Sequence, residues 1–62
     1  MDGSEIREAR EEFGLSYEAF GQRVLGVSGN TVKRWETGEC PIENLKAVGI
    51  RLRITNYRRK VR

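Results

Sequence analysis

Apolar residues recur along the first part of the chain at helical intervals, and glycines punctuate them. Ile6, Ala9, Arg10 and Phe13 fall at i, i+3, i+4 and i+7, which is one stripe of a helix facing a core. Ser4 precedes the stripe as an N-cap, with Glu5 favouring the positive end of the helix. Gly14 ends the helix, because glycine takes the left-handed C′ conformation without steric cost. Ser16 caps a second helix whose inward residues are Ala19, Phe20 and Val24, with Leu15 before the cap as a hydrophobic staple. Gly26 closes that helix and Val27 lies in the connection. A third segment, Ser28-Gly29-Asn30-Thr31-Val32-Lys33-Arg34-Trp35-Glu36, is stopped by Thr37-Gly38.

The last third is patterned less simply. Pro41 suits the first position of a fourth helix, where its missing N–H costs nothing. Ile42, Leu45, Val48 and Leu52 then form the expected buried stripe. Ile50, Ile54, Tyr57 and Val61 also have helical spacing, yet Ile50-Arg51-Leu52-Arg53-Ile54 alternates as a strand does. Helix is expected through about Leu52, with Thr55 capping a short fifth turn. The pattern predicts an all-α domain of four to five short helices.

At 62 residues, with 37% hydrophobic and 34% charged, the chain suits one small globule with a thin core. That size excludes a multi-domain enzyme and a large enclosed substrate cavity. No apolar run approaches a membrane span, and the polar, acidic opening MDGSEIREAR is unlike a signal peptide, so a cytoplasmic location is expected. A single cysteine, Cys40, closes no intrachain disulfide and, with no histidine in the chain, makes no metal site. No cofactor, membrane partner or small-molecule substrate is expected. The same lack of histidine, with no phosphate-cradling glycine loop before a lysine, argues against an enzyme.

The net charge of +3 conceals a division. Residues 1–20 hold six acids against two bases, whereas residues 21–62 hold ten bases against three acids. Half of the basic residues fall in the last twelve positions: Arg51, Arg53, Arg58, Arg59, Lys60 and Arg62. Such a division suggests one face that meets a polyanion and another that does not.

The third helix carries two chemistries. At about 100° per residue, Val32, Trp35 and Ser28 cluster on one side, and Asn30, Lys33, Arg34 and Thr37 lie roughly opposite. An amide, two cations and a hydroxyl are the groups that read base edges: Asn with adenine, Arg or Lys with guanine. The amino end of the helix, at Ser28 and Gly29, has free N–H groups suited to a phosphate.

Residues 6–54 resemble the lambda-repressor/Cro-type helix-turn-helix DNA-binding domain. The resemblance is carried by Ile6-Arg7-Glu8-Ala9-Arg10-Glu11-Glu12-Phe13-Gly14-Leu15-Ser16, by Gly26-Val27-Ser28, by Thr31-Val32-Lys33-Arg34-Trp35-Glu36-Thr37-Gly38, and by Pro41, Leu45 and Leu52. It implies a compact helix-turn-helix domain over residues 1–54, followed by a basic tail or short fifth helix over residues 55–62. It further implies a positioning helix at 16–25 and a recognition helix at 28–36 that enters the major groove. The DNA-binding residues it assigns are Tyr17, Ser28, Gly29, Asn30, Lys33, Arg34 and Thr37. It also makes Arg10 and Glu36 a structural pair. Arg58, Arg59 and Lys60 are candidate phosphate contacts.

Three features depart from the family pattern. Tyr17 stands where the family usually has glutamine, and Gly29 offers no side chain where a base-reading residue often sits. Gly21 takes the small-residue position that lets the second and third helices approach. Gly26 comes one residue later than usual, a spacing shared with CUT domains, which Phe20-Gly21-Gln22-Arg23-Val24-Leu25-Gly26 resembles. The second helix or its turn must absorb the extra residue.

The function expected from this resemblance is a sequence-specific double-stranded DNA-binding transcriptional regulator, repressor-like, acting as a homodimer on DNA. The rival is a protein-interaction module, such as an antitoxin, adaptor or antirepressor, whose surface or homodimer seam is the apolar segment Ile50, Leu52, Ile54, Tyr57 and Val61. Gly26-Val27-Ser28-Gly29 has the GXXG form of RNA-binding KH domains, but the strands a KH sheet needs are missing from the pattern.

Overall fold

Capping chemistry sets the helix starts. In the computed structural model, which describes residues 1–61, α1 spans Gly3–Glu12 and α2 spans Tyr17–Phe20. A π-helical turn, Gly21–Leu25, continues α2, and α3 (Gly29–Thr37) and α4 (Asn44–Lys60) follow. Ser16 caps as expected, its Oγ accepting from Ala19 N–H at 3.2 Å; Ser28, expected as the first residue of the third helix, is instead its cap, with Oγ accepting from Thr31 N–H at 3.2 Å. The first cap is corrected. Asp2, not Ser4, holds the N-cap, and its Oδ1 accepts from Ser4 N–H at 3.2 Å. The architecture is all-helical, with no strand among the described residues.

The core is one cluster built by every helix. Ile6 and Ala9 of α1, Phe20 of α2, Val24 and Leu25 of the π-helical turn, and Val32 and Trp35 of α3 are all buried. Ile42 and three residues of α4, Ala47, Ile50 and Ile54, complete it. Phe13, Leu15, Val27 and Tyr57 pack at its edge, with the Phe13 ring 4.9 Å from that of Tyr57.

The extra residue before Gly26 is absorbed by widening the helix. Gly26 N–H and Val27 N–H both donate to Gly21 O, the second at 2.9 Å, so the last turn closes over five and six residues instead of four. Gly26 ends it at φ +71°. Gly21 is required by proximity, since a Cβ there would collide with Val27 O.

The fourth helix departs most from the expected pattern. Pro41 and Ile42 precede it in extended or irregular chain, and Glu43 is its N-cap residue. Neither a strand at 50–54 nor a cap at Thr55 forms; α4 runs unbroken to Lys60, through the expected tail at 55–62, whose last residue, Arg62, lies outside the described residues. The buried stripe is also different. Leu45, Val48 and Leu52, expected inside, are 88%, 63% and 60% exposed. Ala47, Ile50 and Ile54 face the core instead. Because Ile42 is off the helix, it cannot set the helix phase, and α4 is left with two apolar stripes on opposite faces.

Burial of Ala47, Ile50 and Ile54 sets that phase, and two exposed ion pairs match it. Arg51 donates two hydrogen bonds to the Glu5 carboxylate (3.0 and 2.9 Å), and Arg58 donates two to Glu12 (both 2.8 Å). Both acids and both arginines are seven residues apart, so two forks bridge α1 and α4 in a single register. The Arg58 guanidinium also lies 5.8 Å from the Phe13 ring centroid.

Candidate nucleic-acid interface

The outer face of α3 is set by what its inner face buries. Val32 is fully buried and Trp35 nearly so, which turns Asn30, Lys33, Arg34 and Thr37 outward, all exposed. Thr37 Oγ1 donates to Arg34 O at 3.2 Å and so closes the helix end. Arg34 stands 3.8 Å from Glu39 in a loose pair with both side chains more than half exposed, which leaves its guanidinium free to turn to another acceptor. Ser28 is exposed, contrary to its expected side of the helix. Its hydroxyl is also committed, accepting from Thr31 N–H and bonding Thr31 Oγ1 at 2.9 Å.

Gly29 faces the start of α2. A Cβ at this position would lie 2.7 Å from Glu18 N and Cα, so its lack of a side chain serves helix-to-helix approach. Together Tyr17, Glu18, Ser28, Gly29, Asn30 and Lys33 line an open groove of about 460 Å³. Glu18, which the sequence pattern did not single out, puts a carboxylate in this groove and is bonded by Gln22 Nε2 at 3.3 Å.

Arg10 places Tyr17 beside that groove. Its Nε and Nη2 donate to Glu36 at 2.7 and 3.2 Å, and its Nη1 donates to Leu15 O at 3.1 Å. The guanidinium lies 4.4 Å from the Tyr17 ring centroid, a cation–π contact that holds the phenol at the start of α2. The hydrogen bond to Glu36 raises the Arg10 pKa above its ordinary value, against the opposing effect of burial. One side chain thus ties α1, the first turn, α2 and the end of α3.

The three candidate phosphate contacts at the C-terminus separate. Arg58 is held by Glu12, Arg59 is exposed, and Lys60 turns to a groove shared with Arg23 and Arg53. Consecutive helical residues stand about 100° apart, so a run in sequence is no cluster in space. Of the apolar segment expected as a partner surface, Ile50 and Ile54 are buried and Tyr57 is half-buried; only Leu52 and Val61 are exposed. No helix is long and apolar enough to cross a membrane among the described residues, which also hold no group of three or more metal-ligating side chains. Cys40 is exposed. Comparison with known protein families, with curated proteins and with solved structures finds no match to this chain.

Proposed function

We propose that this chain is a sequence-specific double-stranded DNA-binding domain of a transcriptional regulator, with a lambda-repressor/Cro-type helix-turn-helix fold. The observation that carries the reading is the outer face of α3, with Asn30, Lys33, Arg34 and Thr37 all exposed on a helix anchored from behind by Val32 and Trp35. Asn30 pairs with an adenine edge and Lys33 or Arg34 with guanine, while the N–H groups at the start of α3 and the Tyr17 hydroxyl meet phosphates. Gly29 reads no base, so direct readout rests on Asn30, Lys33 and Arg34. Selection of bound sequences from a random duplex pool at two salt concentrations tests this. A motif should be enriched, and Arg34→Ala should relax preference at one position of it. Enrichment of no motif would overturn the reading.

One domain of this size covers few base pairs, so the active form is two copies on a two-fold site. The surface that suits a second copy is the outer stripe of α4, Leu45, Val48 and Leu52, beside Gly49, where an added Cβ would meet open space. An antiparallel crossing at Val48 and Gly49 sets Leu45 of one copy against Leu52 of the other and keeps the basic C-terminal ends apart. The stripe exposes on the order of 400 Å² of side chain, about half of the ~800 Å² per partner typical of a stable complex. The pair is therefore weak in solution and forms on DNA. Sedimentation should give a monomer alone and two copies on a two-half-site duplex, with Leu52→Lys reducing the complex to one copy. The same stripe favours the second reading, a protein-interaction module. Apolar contact with another protein responds little to salt, whereas duplex binding weakens steeply, and titration at rising salt separates the two.

A further inference from the structure

Four of the basic side chains gather on one side of the molecule. Lys46, Arg53 and Lys60 follow at seven-residue intervals along α4, which puts them in one row spanning about 21 Å. Arg23 of the π-helical turn faces the row, and Arg23, Arg53 and Lys60 line one open groove of about 240 Å³ together with Asn56 and Tyr57. A second groove, of about 320 Å³, continues it between α3 and α4, where Lys46 and Arg53 stand opposite Thr31 and Trp35. No carboxylate lines either groove, and none of the four cations is ion-paired among the described residues. Arg53 reaches over the turn itself, since a Cβ on Gly26 would lie 3.8 Å from its Nη1.

The row has a defined place relative to α3. Tyr17 and Glu18 flank α3 on one side, and Lys46 and Arg53 flank it on the other. A helix about 10–12 Å across fills a major groove about 12 Å wide, so a phosphate strand runs along each of its sides. Resting on the duplex-DNA reading, we propose that Lys46, Arg53 and Lys60 with Arg23 form a phosphate-binding row that takes the strand opposite the one met at the start of α2. Like charges gathered without a counter-charge repel one another, and a polyanion relieves that repulsion while releasing its own counterions.

The test uses the full chain carrying K46Q, R53Q and K60Q together. Its binding to a selected duplex and to a random duplex is followed by fluorescence anisotropy. The loss of affinity between about 50 and 200 mM salt should shrink about 40-fold on both duplexes, because three phosphate contacts are gone. The ratio of selected to random affinity should stay as in the wild type. R53Q alone should lower the salt slope by about one, which keeps the test open should the triple variant fold poorly. R51Q should leave the slope unchanged. A triple-variant slope equal to the wild type, a fall in the selected-to-random ratio, or an equal effect of R51Q would each overturn the proposal. So would tight binding of single-stranded RNA with no binding of duplex. Failure to enrich a motif sinks base readout alone, because the random duplex still reports on the row.

Discussion

The two flanks of α4 carry the same kind of side chain and put it to different use. On the flank toward α1, Arg51 and Arg58 each donate two hydrogen bonds to a carboxylate, Glu5 and Glu12, and are neutralised. On the flank toward the π-helical turn, Lys46, Arg53 and Lys60 meet no acid in the grooves they line. Net charge cannot distinguish these flanks. A cation two turns from its like is ion-paired on one flank and meets no acid on the other, according to what the neighbouring element supplies.

The largest loss is expected from moving the turn. Gly21→Ala would drive a Cβ into Val27 O, displacing the element that carries Arg23 and against which α4 packs. A loss of about 3 kcal/mol is expected from such an overlap, a large share of the stability of a small domain, and urea denaturation would register it. Next comes Glu36→Ala. It strands the Arg10 guanidinium, whose side chain is only 17% exposed, at a cost of about 2 kcal/mol, and frees Tyr17 at the start of α2. Thermal unfolding measures the first effect and Tyr17 fluorescence quenching the second.

Smaller effects are expected from single arginines on the two flanks of α4. Arg58→Gln should lower Tm by a few degrees, because it removes a fork to Glu12 and the contact with Phe13. Arg53→Gln should leave Tm unchanged or slightly raised, since it removes only repulsion. Equal losses from the two would erase the distinction. The smallest effect is that of pH. The hydrogen bond from Arg51 holds the Glu5 carboxyl below its ordinary value of 4.5. The stability this pair supplies is thus complete above about pH 4.5 and is lost as pH falls through the lowered folded-state value. Glu5→Gln should flatten that part of the Tm-against-pH curve.

Features within reach of a few bonds were legible in the chain. Ser16 as a cap and Gly14, Gly26 and Gly38 as stops follow from local hydrogen bonding and sterics. The outward set on α3 follows from the 3.6-residue period once Val32 and Trp35 are inside. The need to absorb one residue before Gly26 was also readable, though its answer, a π-helical turn, was not. Asp2 displaced Ser4 as first cap because both residues suit that role and the chain simply starts its helix earlier. The cationic row is not legible as a run, because Lys46, Arg53 and Lys60 stand seven residues apart, whereas the dense run Arg58, Arg59 and Lys60 scatters around the helix.

The fourth helix marks the boundary between local and long-range information. Ala47, Ile50 and Ile54 make one apolar stripe, and Leu45, Val48 and Leu52 make another on the opposite side, with the same period. Periodicity establishes that the segment is helical and apolar, and it cannot rank two stripes of equal period. Contacts made far along the chain choose between them: Glu5 and Glu12 capture Arg51 and Arg58, and the π-helical turn supplies the surface for Ile50 and Ile54. Short-range hydrogen bonds and sterics therefore place the helix starts and stops. The direction each face of α4 points, and with it which cations stay free, is settled by packing between elements some 46 residues apart.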